Sequence, residues 1–297
     1  MANVGFVGLG LMGGRIVKRL LEAGHQVSGY NRTRSKAEAL IQAGMQWKVT
    51  PREVVQAADI TLSMVTDTAA LSSVTDGADG ILAGLSPGKI YVDMSTVSPR
   101  LTRELAERVS AAGADMLDAP VSGSVATVES GMLIIYVGGK ADVLERVRPV
   151  FESLSQKIIH VGENGQAIAT KIAINLSLPI QLIGLFEGVL VAERSGIPRA
   201  AALDALLNSV MASPAMKYRA PFILKMPEEV WFSAAMMQKD LDIALEFGKE
   251  LGVSLRTVEL ASEMLAKAVE MGMGDEDFAV LFKVVEQLSV KSEASNV

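Results

Sequence analysis

The chain has 297 residues, enough for two domains, with an ordinary globular balance of 49% hydrophobic and 21% charged residues. Its net charge of −6 argues against nucleic acid or an anionic membrane surface as partner, and the absence of cysteine excludes disulfides, thiol catalysis and cysteine metal sites. No basic segment precedes the first apolar run, and the longest uncharged run, residues 172–186, is broken by Asn175, Ser177, Pro179 and Gln181, so the chain reads as soluble and cytoplasmic without a signal or membrane span.

In chain order, "NVGFVGLG" (3–10) predicts a strand entering a glycine turn, and "GRIVKRLLEAG" (14–24) a helix closed by glycine. "QVSGYN" (26–31) is the next strand and "SKAEALIQAG" (35–44) the next helix. Further strands are predicted at 60–65, 89–95, 114–121 and 132–139. Strands alternating with helices of this length imply a parallel, doubly wound α/β sheet. After about residue 162 the texture turns helical, so the expected division is 1–162 and an all-α domain, 163–297, joined by a long helix starting near Gly165.

Gly8, Gly10 and Gly13 in "GLGLMG" form a GxGxxG pattern, with Leu11 and Met12 between the last two glycines. The first glycine makes the tight turn, the second lets the backbone approach a pyrophosphate, and the third lets helix and strand pack closely. The pattern alone is weak, and a merely structural glycine turn is the alternative. Here it follows a strand, opens a helix and precedes a second strand, as a Rossmann dinucleotide site requires. The second strand ends in "YNRTRSK" with no carboxylate to hold both ribose hydroxyls. Arg32 suits a 2′-phosphate, with Asn31 and Thr33 as further donors, so NADP is expected over NAD; the alternative is a solvated basic loop.

"GENGQAIATKIAIN" (162–175) sets Lys171 in an uncharged, mostly apolar helical stretch with no acidic residue three or four positions away. Burial of an ammonium is costly unless it is compensated, so this lysine calls for a chemical reason or for a stem that snorkels to water. Together with "DMSTVSP" (93–99), "DAPVSGS" (118–124), "GMLIIYVGG" (131–139) and "QKDLDIALEFGKELGV" (238–253), these blocks resemble the β-hydroxyacid dehydrogenase family over essentially the whole chain. That family includes 3-hydroxyisobutyrate dehydrogenases and glyoxylate/succinic semialdehyde reductases.

The resemblance implies an NADP-dependent oxidoreductase interconverting a short β- or γ-hydroxy acid and its semialdehyde, or glyoxylate and glycolate, as a homodimer or homotetramer. It makes Lys171 the catalytic acid/base and Asn175, one helical turn on, the residue that orients substrate. Ser122, Gly123 and Ser124 would cradle the substrate carboxylate, the alternative being a plain strand-to-helix turn. Thr96 would lie near the nicotinamide, Met64 and Val65 along the cofactor, and Lys239, beside Asp240, would close over cofactor and substrate; an ordinary exposed helix pair is the alternative for the last two. Phe232, Met236 and Met237 read as core rather than as a specificity wall. His25 and His160, without a carboxylate cluster, make no metal site.

The chain departs from the family pattern at Ser124, at "GSVATVESGM", at Ala167 and at Pro179 in the connecting helix. These changes touch the substrate pocket and leave the cofactor blocks alone. The rival readings are an imine reductase of the same fold, against which Lys171 argues, and a silent NADP-binding module used for partner recognition.

Overall fold

The computed structural model describes residues 1–123 and 125–291. It divides into two compact units, Met1–Lys171 and Ile172–Val297. Among the described residues the first unit has nine strands: β1 (Asn3–Val7), β2 (Gln26–Tyr30), β3 (Gln46–Trp47), β4 (Ile60–Ser63), β5 (Ile90–Asp93), β6 (Asp115–Asp118), β7 (Val121–Ser122), β8 (Ile134–Gly138) and β9 (Lys157–Gly162). Its helices are α1 (Leu11–Glu22), α2 (Glu38–Gln42), α3 (Pro51–Gln56), α4 (Thr68–Thr75), α5 (Ile81–Gly84), α6 (Pro99–Ala111), α7 (Val125–Glu129), α8 (Ala141–Glu152) and most of α9 (Gln166–Asn175).

The spatial order is β3-β2-β1-β4-β5-β6-β8-β7, with β9 beside β8. From β3 to β6 every pairing is parallel, which is the doubly wound part of the sheet. β8 then runs antiparallel to β6 and β7 and parallel to β9. The connection from β7 to β8 holds only a five-residue helix, too little chain for a parallel crossover, so those two strands must oppose one another.

Alternation along the strands divides the core between the two faces. Val4 and Phe6 of β1, Ile90 and Val92 of β5 and Leu117 of β6 pack with Ile16, Val17 and Leu20 of α1 and with Val147, Val150 and Phe151 of α8. Val7, Tyr91 and Met116, from alternate positions of the same strands, pack with Val54 and Val55 of α3, Leu71 of α4, and Leu105 and Val109 of α6. Each face therefore has its own apolar layer, which is why strand ends are left to carry the polar residues.

The second unit continues with α10 (Ser177–Arg194), α11 (Arg199–Leu207), α12 (Pro214–Arg219), α13 (Ala234–Glu250), α14 (Arg256–Ala268) and α15 (Leu281–Lys291). Phe186 and Phe282 meet edge to face, with centroids 5.5 Å apart, and tie α10 to α15. The long connecting helix is present as two segments, α9 and α10, broken at Leu176. Pro179 accounts for the break: its nitrogen cannot donate, and its ring crowds the carbonyl of Asn175, four residues back. Residues 166–194 are long and apolar enough to cross a bilayer by length and composition, and 44% of their apolar window is buried inside the protein.

Candidate active site

The turn between β1 and α1 uses its three glycines in different ways. Gly8 has a φ of +101°, and a Cβ there would lie 2.2 Å from the Met64 carbonyl oxygen. A Cβ on Gly13 would lie 2.0 Å from the Gly8 carbonyl oxygen. Both are required by the fold itself. Gly10 is exposed, and a Cβ there would meet no atom of the described residues within 4 Å, so nothing among them demands glycine at this position. Gly10 is also the N-cap of α1, without a side-chain cap and with no acidic residue in the first turn. A bare helix N-terminus reached across an unbranched backbone is what a pyrophosphate needs, so the residues present fit a dinucleotide. The exposed Leu11 and half-buried Met12 follow on that first turn.

At the end of β2, the Leu9 N–H donates to Asn31 Oδ1 at 3.0 Å, and Asn31 Nδ2 donates to the Thr33 carbonyl at 2.9 Å. Asn31 thus fastens the glycine turn to the β2 loop and keeps one amide hydrogen for a ligand. Arg32 and Thr33 are exposed, and Arg32 makes no hydrogen bond or ion pair among the described residues. Arg34, by contrast, lies over the Trp47 ring at 5.7 Å and pairs with Glu38 at 3.6 Å, while Trp47 stacks on Tyr30. The two arginines are therefore not equivalent.

The ends of β4 and β5 carry a buried polar network. Asp93 Oδ1 accepts from the Ser63 and Ser95 hydroxyls, each at 2.7 Å, and Ser63 Oγ also meets the Tyr91 hydroxyl at 2.7 Å. The Val65 N–H donates to Ser95 Oγ at 3.0 Å, which fixes the Met64–Val65 segment against the end of β5. Burial pushes the Asp93 carboxyl up to about 6, against the pull of the Ser63 and Ser95 hydrogen bonds. Half-buried Met64, Val65 and Thr96 follow directly on these strands. Carboxyl ends of parallel strands are where such sheets present ligands.

β6 ends at Asp118, which is 2% exposed. Its Oδ1 accepts from the Gly165 N–H at 2.8 Å and its Oδ2 from the Ile168 N–H at 3.0 Å. Burial raises the Asp118 carboxyl above its ordinary range, while these N–H donors pull it down. Four residues beyond Asp118, Ser122 is half-buried and its hydroxyl makes no hydrogen bond among the described residues. Gly123 is exposed, and a Cβ there would lie 2.2 Å from Thr127 Oγ1. Ser124 lies outside the described residues. Lys171 is half-buried on α9, one turn beyond Ile168.

In the second unit, Asn175 is 4% exposed and Asp240 3% exposed. Asn175 Nδ2 donates to Asp240 Oδ2 at 2.5 Å, and Lys239 Nζ pairs with Asp240 Oδ1 at 2.9 Å. Asn175 Oδ1 is buried without a hydrogen-bond partner among the described residues. Met237 is fully buried, so it belongs to the core. The two imidazoles are engaged elsewhere, His25 with the Ala2 N–H and the Ser153 hydroxyl, and His160 with the Gly139 carbonyl.

The sequence-predicted residues thus fall into a glycine-turn group, a strand-end group and the Asn175–Asp240–Lys239 cluster. Asp93, Ser63 and the anchoring role of Asp118 escaped the sequence reading. The available signal was that "DMSTVSP" and "DAPVSGS" both open with an aspartate at the end of a buried strand.

A glycine turn onto a bare helix start, next to polar ends of parallel strands, defines a dinucleotide-binding protein. A family model described as the NAD binding domain of 6-phosphogluconate dehydrogenase matches residues 3–162, and one described as NAD-binding of NADP-dependent 3-hydroxyisobutyrate dehydrogenase matches residues 165–285. Glyoxylate/succinic semialdehyde reductase 1 of Arabidopsis thaliana is 32% identical over 96% of this chain and 98% of its own length. The structure of 3-hydroxyisobutyrate dehydrogenase from Mycobacterium tuberculosis with L-serine matches with a TM-score of 0.86 at 29% identity, covering 96% of this chain and 99% of that one. That of Psf3 in complex with NADP+ and 2-OPP matches with a TM-score of 0.86 at 28% identity, covering 95% and 99%. The chain belongs to the β-hydroxyacid dehydrogenase family.

Proposed function

We propose that this chain is an NADP-preferring enzyme that interconverts a short aldehyde acid and its hydroxy acid, with Lys171 as the acid/base. One observation carries the reading. Lys171 is the single charged residue of α9, and that helix is held by Asp118 at the end of β6, four residues before Ser122. The bound cofactor would supply or accept hydride at the carbonyl carbon. In reduction, Lys171 Nζ gives its proton to the carbonyl oxygen; in oxidation it takes the hydroxyl proton. Ser122 Oγ and the adjoining backbone N–H groups bind the carboxylate, and Asn175, one turn along α9 from Lys171, orients the substrate. The similarity to a relative named as a glyoxylate/succinic semialdehyde reductase supports this substrate class.

The direct test compares kcat/KM for glyoxylate, 3-oxopropanoate and succinic semialdehyde with that for butanal, using NADPH. Butanal leaves the carboxylate donors unpaired and loses the oriented pose, so it should be poorer by several kcal/mol, on the order of a hundredfold or more. Ser122→Ala should raise KM for the acids by about ten- to a hundredfold, the worth of a hydrogen bond to a charged group, and leave turnover of butanal nearly unchanged. Equal efficiency with butanal in the wild type removes the carboxylate from the site.

Arg32 supports the cofactor preference, since it is the arginine of the β2 loop that neither Trp47 nor Glu38 engages. In Arg32→Asp, kcat/KM with NADPH should fall by about ten- to a hundredfold through loss of a charge-assisted phosphate contact. The new carboxylate can accept from the ribose hydroxyls, so the value with NADH should rise or hold. A wild type already more efficient with NADH would overturn the assignment.

A further inference from the structure

Helix α9 is capped from outside itself. Gly165, immediately before its first residue, has a φ of +90° and offers no capping side chain. The two donors that a capping box would satisfy, the N–H of the N-cap residue and that of the third helical residue, are here the N–H groups of Gly165 and Ile168. Both go to Asp118, from 47 and 50 residues earlier in the chain. Room for the carboxylate is made by Gly138 of β8, where a Cβ would lie 2.6 Å from Asp118 Oδ1. Asn164 Nδ2 adds a longer contact to the same oxygen at 3.4 Å and donates to the Met116 carbonyl at 3.1 Å, joining the loop before α9 to β6.

The chain leaving Asp118 in the other direction is equally fixed. The Ala119 N–H donates to the Asp93 carbonyl at 2.7 Å, and the Tyr136 N–H donates to the Pro120 carbonyl at 3.1 Å. Val121 and Ser122 are then registered against Ile135 and Ile134. One carboxylate is thus the common anchor of two short paths. The first rises three helical residues from Ile168 to Lys171, about 4.5 Å along the axis. The second runs four residues to Ser122.

We propose that Asp118 is a positioning residue that sets the span between Lys171 and the Ser122 turn, and so selects the length of the aldehyde acid. The inference rests on the roles given above to Lys171 and Ser122. If the cap slackens, α9 shifts relative to β7, and a displacement near 1 Å is enough to spoil an oriented reaction.

The test is Asp118→Asn, which keeps the shape but turns an amide toward one of two N–H donors. NADPH affinity, read from its fluorescence, should stay within about twofold, because the glycine turn is untouched, while kcat falls by about thirtyfold or more. The deciding readout is the ratio of kcat/KM values among glyoxylate, 3-oxopropanoate and succinic semialdehyde, expected to change by about fivefold or more. A lower folded fraction multiplies all three values equally and cannot move that ratio. Asn164→Ala, which leaves Asp118 both backbone donors, should keep the ratio within about twofold. An Asp118→Asn enzyme that folds with the wild-type ratio overturns the proposal. So does one that loses NADPH binding or a cooperative melt, since Asp118 would then serve folding alone. A wild type indifferent to the carboxylate defeats the functional reading instead, and does so before any variant is compared.

Discussion

Lys171→Ala is expected to lower kcat by about two to four orders of magnitude, the usual worth of a positioned general acid, or about 2.7–5.5 kcal/mol of barrier. NADPH affinity should change little, because the glycine turn, Asn31 and Arg32 lie at the β1 and β2 ends of the sheet, whereas Lys171 lies on α9. Lys171→Arg separates two explanations. A guanidinium keeps the positive charge but does not give up its proton in this pH range. If the lysine only stabilises developing negative charge, Arg should restore much of the rate. If it transfers the proton, Arg should remain close to Ala. Single-turnover reduction of the best aldehyde acid, followed at the nicotinamide absorbance, isolates the chemical step from product release. A Lys171→Ala enzyme with half the wild-type kcat would sink the mechanism.

The parts of this site that were legible in the sequence are those with local signals. GxGxxG could be read because the strand before it and the helix after it are contiguous, and α1 begins at Leu11, inside the motif. Element boundaries set by pairing were less legible. β3 and β7 are two residues long, too short to show a period, and β9 has no strict alternation of burial. Asn31 illustrates a subtler limit. Its residue type suits a phosphate donor, but its carbonyl oxygen serves the Leu9 N–H, and only the fold brings those two loops together.

Asp118 carries no local signal of its role, because the donors it satisfies lie 47 and 50 residues downstream. A capping residue is recognised in sequence when it sits next to its helix. Here the N-cap position is glycine and the cap comes from a strand, so each half looks unremarkable alone. The Asp93 network is hidden for the same reason: Ser63, Asp93 and Ser95 come from neighbouring parallel strands separated by a crossover. Side chains that organise such a site converge through the sheet, whereas those that touch ligand tend to sit in readable loops.

The helical unit makes a second large-effect prediction, at Arg219. Its Nη1 lies 2.6 Å from both oxygens of Asp277, with the side chains 8% and 1% exposed. The guanidinium also lies 4.2 Å from the centroid of the Phe278 ring. Asp277 accepts in addition from the N–H groups of Phe232 and Ala279, so it joins the loop before α13 to the turn before α15. Arg219→Met keeps the apolar stem and removes the charge, leaving a buried carboxylate with backbone donors alone. Breaking a buried pair in this way costs about 3–5 kcal/mol, far more than an exposed pair is worth. Arg219→Lys should recover only part of this, since an ammonium does not stack flat on the ring. The chain has two tryptophans, and Trp231 packs edge to face on Phe222, 5.0 Å between centroids, close to this pair. In a Trp47→Phe background, urea unfolding followed by Trp231 fluorescence therefore reports on the helical unit. The midpoint of Arg219→Met should fall by about 1.5–3 M for an ordinary urea dependence. A loss under about 1 kcal/mol would mean that the Phe232 and Ala279 N–H groups already satisfy Asp277, and that the arginine contributes no more than a surface ion pair does.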